Sequence, residues 1–146
     1  MKDPYLKPVI FGGLFITILS IIFAPGIFLW ASVGGYITVR IAFKVTKEAI
    51  NHIEGILLGL FSGLIGGTLL DVLTLISFNA PENRRLIIRT LEKNWPKDVQ
   101  LPNLTEMLPA VFTTTCIIII AISIVFSILG SYIGILICQR KKKSER

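Results

Sequence analysis

Apolar and polar positions along this chain come in long blocks and do not alternate residue by residue. Charged residues fall in four clusters, near residues 2–7, 40–54, 82–106 and 140–146, and Asp71 is the one charge outside them. The apolar runs between the clusters have the length and continuity of membrane-spanning helices. The first, Pro8 to Val39, carries no charge and is too long for one ordinary helix across a hydrocarbon core of roughly 30 Å. Ala24-Pro25-Gly26 divides it, because Pro25 disfavours the helical region for Ala24 and Gly26 tolerates a positive φ. The pattern predicts two helices, about 8–24 and 27–43, folded as a hairpin. A single helix kinked at Pro25 is the competing reading.

The polar connection that follows holds Arg40, Lys44, Lys47, Glu48, His52 and Glu54, and from it a third helix is predicted over about 53–78. Gly55, Gly59, Gly63 and Gly67 recur at every fourth position there, a glycine zipper that strips side chains from one face and admits another backbone at close range. Asn79-Ala80-Pro81 ends this helix. From 82 to 95 the period changes: Leu86, Ile87, Ile88, Leu91 and Trp95 share the segment with Arg84, Arg85, Arg89, Glu92 and Lys93. This predicts a short amphipathic helix lying in the headgroup region, stopped by Pro96. After an irregular stretch over residues 97–102, Asn103-Leu104-Thr105-Glu106 offers a cap for a last helix, with Pro109 in its first turns and a span over about 110–138. That apolar run exceeds the bilayer thickness, so the helix must tilt or project. The predicted fold is therefore all-α, an integral membrane four-helix bundle with one interfacial helix between spans 3 and 4.

Composition agrees with this layout. The chain is 53% hydrophobic with a mean hydropathy of +0.74, above the roughly 45–50% of soluble domains. Its longest polar segment, Asn79 to Leu108, is shorter than the roughly 40 residues a domain needs to fold without disulfides or metal. The net charge of +6 does not point to nucleic acid, since the bases sit at span ends and are not interleaved with aromatics. The expected partner is the lipid bilayer, with a second copy or another membrane protein beside it. Lys2 and Lys7 precede an apolar run as in a secretory leader, yet no small-x-small cleavage pattern ends that run, and a leader is not expected. Ten Lys and Arg fall on the side of the termini and of the 40–54 connection, against Arg84, Arg85, Arg89, Lys93 and Lys97 opposite. That asymmetry predicts both termini in the cytoplasm of a multi-pass cell-membrane protein.

Candidate chemistry is sparse. Asp71 lies inside the third span, where a charge costs roughly 2.5 to 3.5 kcal/mol at the centre and less away from it, so it should face protein or water. It extends the glycine strip by one step, and it is either a proton or cation site, with Thr68 and Thr74 lending oxygens, or a packing residue. Arg40 near the inner end of the second helix reads as a side chain snorkelling to the headgroups. Trp30 and Trp95 suit either interfacial anchoring or packing. His52 and Glu54, two residues apart, sit on different helix faces and have no third ligand, so no metal is expected, and no cofactor either. Cys116 and Cys138 are 22 residues apart on one predicted helix, about 33 Å, and cannot pair with each other. Asn103-Leu104-Thr105 fits the N-glycosylation pattern, which matters only in a secretory pathway. No nucleophile, base and orienting group fall together, and no enzyme is expected. On the last helix Ser123, Ser127, Gly130, Ser131 and Gly134 make the partner surface for the glycine strip.

Gly12-Gly13, Pro25-Gly26, Gly34-Gly35, the glycines from Gly55 to Gly67 and the pair Gly130 and Gly134 together give a layout that resembles small, uncharacterised bacterial four-span, glycine-rich membrane proteins. The similarity covers nearly the whole chain. It implies the bundle and brings no activity with it.

Overall fold

The computed structural model describes residues 4–46, 50–96 and 103–144, and among these it forms five α-helices and no strand. They are α1 (Leu6–Ile22), α2 (Ile27–Thr46), α3 (His52–Asn79), α4 (Pro81–Asn94) and α5 (Leu104–Ser144). Ala24–Thr46, His52–Asn79 and Glu106–Arg140 are long and apolar enough to cross a membrane, and Leu6–Ile22 is apolar but shorter. This is the architecture of a small polytopic membrane protein. Residues 97–102, expected to be irregular, and Lys2, Lys47, Glu48 and Arg146 of the charge clusters lie outside the described residues.

The chain folds back between α1 and α2, so Gly12 stands against Gly34 and the two helices form a hairpin, not one kinked rod. The break falls one residue earlier than the proline rule places it. Phe23 leaves the helical region (φ −145°, ψ 85°), and Ala24–Gly26 make a 3-10 turn. Gly26 does not take the expected positive φ. Space is the reason a glycine stands there: a Cβ would meet Trp30 Nε1 at 2.6 Å and Phe23 Cδ1 at 2.8 Å. The Trp30 indole N–H donates to the Phe23 carbonyl at 3.1 Å and closes the turn.

The helix starts follow from local chemistry that the apolar pattern does not carry. Asn51 precedes α3 in extended backbone, and Glu54 reaches back to accept the Asn51 N–H at 2.9 Å, satisfying one donor that a helix start leaves open. Ala80 alone separates α3 from α4, with Pro81 at the first position of α4 and the Asn83 amide donating to the Ser77 carbonyl at 2.8 Å. At the start of α5, Asn103 donates through Nδ2 to Glu106 Oε1 at 2.8 Å, while its carbonyl accepts the Glu106 and Met107 N–H groups. With 41 residues, α5 reaches on the order of 60 Å at 1.5 Å per residue, about twice a hydrocarbon core.

Helices α1, α2, α3 and α5 run up, down, up and down. α2 and α3 touch across the middle, and α1 and α5 each pack against both of them from either side. Val9, Val39, Ala42, Ile50, Leu58 and Ile135 make an apolar cluster toward the end that carries both chain termini. Farther along the bundle the contacts change to glycine, serine and threonine. There Thr38 Oγ1 donates to the Gly34 carbonyl at 2.9 Å and lies 3.0 Å from Ser62 Oγ, tying α2 to α3. Thr17 Oγ1 lies within hydrogen-bond distance of the Gly13 and Gly66 carbonyls, at 3.0 and 3.1 Å, tying α1 to α3. Lipid tails are as apolar as these side chains, so close packing and such interhelical bonds hold the bundle, not water exclusion.

Candidate functional site

The four-residue glycine repeat of α3 builds one continuous contact with α5. A Cβ at Gly55 would strike the Ile135 side chain. At Gly59 it would stand 2.6 Å from Ser131 Oγ and 2.8 Å from the Ser127 carbonyl oxygen and the Ile128 Cα. At Gly63 it would stand 2.6 Å from the Ser123 carbonyl oxygen and 2.7 Å from the Ile124 Cα, and at Gly67 it would stand 3.1 Å from the Ile120 Cα. The two antiparallel backbones are nearly touching, and only hydrogen atoms fit between them. Ser123, Ser127 and Ser131 face this strip fully buried. Ser131 spans further and donates to the Gly35 carbonyl of α2 at 3.0 Å. The Ser123 and Ser127 hydroxyls have no partner among the described residues.

Gly130 and Gly134 are not part of that seam. They sit on the neighbouring face of α5 and pack on α2, where a Cβ at Gly130 would strike the Ser32 carbonyl and one at Gly134 would stand 3.3 Å from Tyr36 Cδ2 and Val39 Cβ. Gly35 reciprocates toward Ser127. Sequence reasoning grouped these glycines and serines as one partner surface. The difference follows from helical angle: Ser123, Ser127 and Ser131 at steps of four make one stripe, while Gly130 and Gly134 trail it by one position and point to the next helix.

Asp71 occupies the next step of the α3 stripe after Gly67, and the Cys116 thiol is the polar group of α5 that faces it. Both carboxylate oxygens are buried and without a hydrogen-bond partner among the described residues, so the thiol lies near them but outside hydrogen-bond geometry. Farther along the two helices, Phe78 of α3 and Phe112 of α5 stack with ring centroids 4.8 Å apart. Thr68 and Thr74 do not join the site. Their hydroxyls donate within α3, to the Leu64 and Leu70 carbonyls at 2.7 and 2.8 Å. An intramembrane carboxyl group next to a thiol, with no histidine or lysine beside them among the described residues, can exchange a proton or hold a cation at short range.

The remaining sequence candidates have structural placements. His52 lies against the Tyr132 ring of α5, centroids 5.8 Å apart, and Glu54 serves the α3 cap, so the pair does not converge. Arg40 is exposed on α2. Cys116 and Cys138 are both free thiols. The side chain of Asn103 is engaged with Glu106. What sequence reasoning missed is the Thr38–Ser62 bond and the role of Trp30 in closing the turn. A threonine four residues after Gly34, one turn along the same face, was the available signal for the first. No family model matches the chain, and no curated protein or solved structure matches it either.

Proposed function

We propose that this chain is a non-enzymatic, four-span membrane component that works through its shape and helix contacts, as an accessory subunit or an oligomer. In this reading α1 is the fourth span, since it runs alongside α3 and shares its buried bonds, and its apolar length of 17 residues falls at the short end of the spanning range. The observation that carries the proposal is that the close-approach glycine stripes are consumed between helices of the same chain. They fix the monomer, and any partner docks on the outward apolar faces instead. The most extended of these is on α5, where Ile117, Val125, Leu129 and Ile133 are about half exposed or more. Crosslinking in native membranes tests it: the chain is expected in a species well above its own 16.2 kDa. Recovery only as a monomer, at every crosslinker length, would remove this reading.

The orientation is part of the proposal. An up-down-up-down bundle puts both ends of the described chain on one side, and seven of the eleven described Lys and Arg belong to that side, which favours the cytoplasm. α4 then lies along the outer interface. With Cys116 and Cys138 replaced by serine, Arg85→Cys and Glu92→Cys are expected to react readily with a membrane-impermeant thiol reagent added outside, and Ile87→Cys and Leu91→Cys at least several-fold more slowly. Labelling of all four only from the cytoplasmic side would reverse the orientation.

A second reading, an ion- or proton-coupled transporter or channel subunit, rests on one specific observation. The Asp71 carboxylate is covered by protein and unpartnered, an arrangement that packing alone gives no reason to keep. One protomer offers little polar lining around it, so this reading requires several copies arranged about a common axis.

A further inference from the structure

Between α4 and the ends of α3 and α5 lies a cavity of about 660 Å³, within the range of roughly 300–1,000 Å³ for small-molecule sites. Leu86, Ile87 and Leu91 of α4 form one wall, and Val111 and Phe112 of α5 the other. Three of the polar groups in the lining are already occupied. Thr74 and Thr115 donate to carbonyls one turn back on their own helices, each at 2.8 Å, and the Asn83 amide is bonded to Ser77. The Trp95 ring adds to the apolar lining, while its indole N–H is buried without a partner among the described residues and is closed to the cavity. The cavity therefore suits an apolar occupant.

The surroundings narrow the occupant further. Arg84, Arg85, Arg89 and Lys93 of α4, set against Glu82 and Glu92, leave this short helix with a net positive charge, and none of these six residues lines the cavity. An apolar tail inside and cations beyond it match one molecule type that any bilayer presents at this depth. We infer that the cavity holds one acyl chain of an anionic phospholipid, its phosphate held near the α4 arginines. α4 then stands off the bundle because a lipid tail fills the space beneath it. This inference needs only that α4 meets the membrane surface, and it is independent of the accessory and transport readings.

The test is tryptophan quenching in detergent by lipids brominated on the acyl chain. Brominated phosphatidylglycerol is expected to quench a saturable part of the emission, and that part should be missing from Trp95→Phe. Brominated phosphatidylcholine should need about tenfold more lipid for the same effect, given α4's net charge. Thr115→Phe, which fills the cavity, should abolish the saturable component. If that variant does not fold, the exposed double variant Arg85→Gln/Arg89→Gln carries the test, and its preference for phosphatidylglycerol should fall close to parity. No saturable quenching, equal quenching of the wild type by both phospholipids, quenching by a brominated fatty acid alone, or full quenching retained in folded Thr115→Phe would each overturn the inference.

Discussion

Gly63→Ala is expected to cost about 1–3 kcal/mol of stability, the usual range for overpacking a filled interface, and Gly63→Leu to prevent α3 and α5 from closing at all. The added carbon meets backbone, the Ser123 carbonyl oxygen at 2.6 Å and the Ile124 Cα at 2.7 Å, which no side-chain rotation relieves. Gly59→Leu should behave the same way, and Gly130→Ala should be at least as damaging as Gly63→Ala, because its Cβ would fall on the Ser32 carbonyl. The contrast lies at the ends of the stripes. At Gly134 every neighbour is at 3.3 Å or beyond, and at Gly67 the nearest is at 3.1 Å, so alanine there should change stability by no more than about 0.5–1 kcal/mol. Unfolding midpoints in detergent read the series directly. Equal midpoints for Gly63→Ala and Gly134→Ala would mean that the backbones do not approach as closely as the structure places them.

Asp71→Ala is expected to stabilise the protein, by about 1–3 kcal/mol, the cost of keeping a buried polar group without a partner. Asp71→Asn should stabilise it less, since an amide in the same place still has unmet bonds. If the carboxyl group serves transport, the same variants should abolish proton or cation flux in reconstituted vesicles, while the wild type conducts. A stability gain coupled to a loss of function is the pattern of a residue retained for work, not for folding. A marked loss of stability in Asp71→Ala would show instead that the carboxyl group holds the helices together. Absence of flux in both the wild type and Asp71→Asn, across protons and the common cations, would remove the transport reading.

Much of this fold is legible in the sequence because membrane helices leave coarse marks. Runs free of charge, the break at Pro25 and Gly26, and the punctuation at Ala80-Pro81 locate every helix to within a few residues, except that α5 continues beyond the predicted span at both ends. Its polar ends are helical because nothing in them stops a helix that is already propagating. The four-step glycines disclose a contact surface, but not its partner, since any other helix satisfies the same pattern. That α5 meets α3 through serines and α2 through glycines depends on which way each stripe turns. Gly26 shows the same gap: its composition suggests a backbone angle, and the fold uses its emptiness to seat Trp30. The surroundings of Asp71 were out of reach for the same reason. Its position on the stripe follows from counting, whereas the facing Cys116 belongs to α5, two helices further along the chain.

The two tightest seams, α3 against α5 and α2 against α5, share one helix, and that helix follows the other four along the chain. Without α5, Gly35, Gly59 and Gly63 would lose the backbone that covers them, while α1, α2 and α3 would keep the Thr17 and Thr38 bonds and the Val9, Val39 and Leu58 contacts, so that one helix decides whether the bare glycine faces meet protein or lipid.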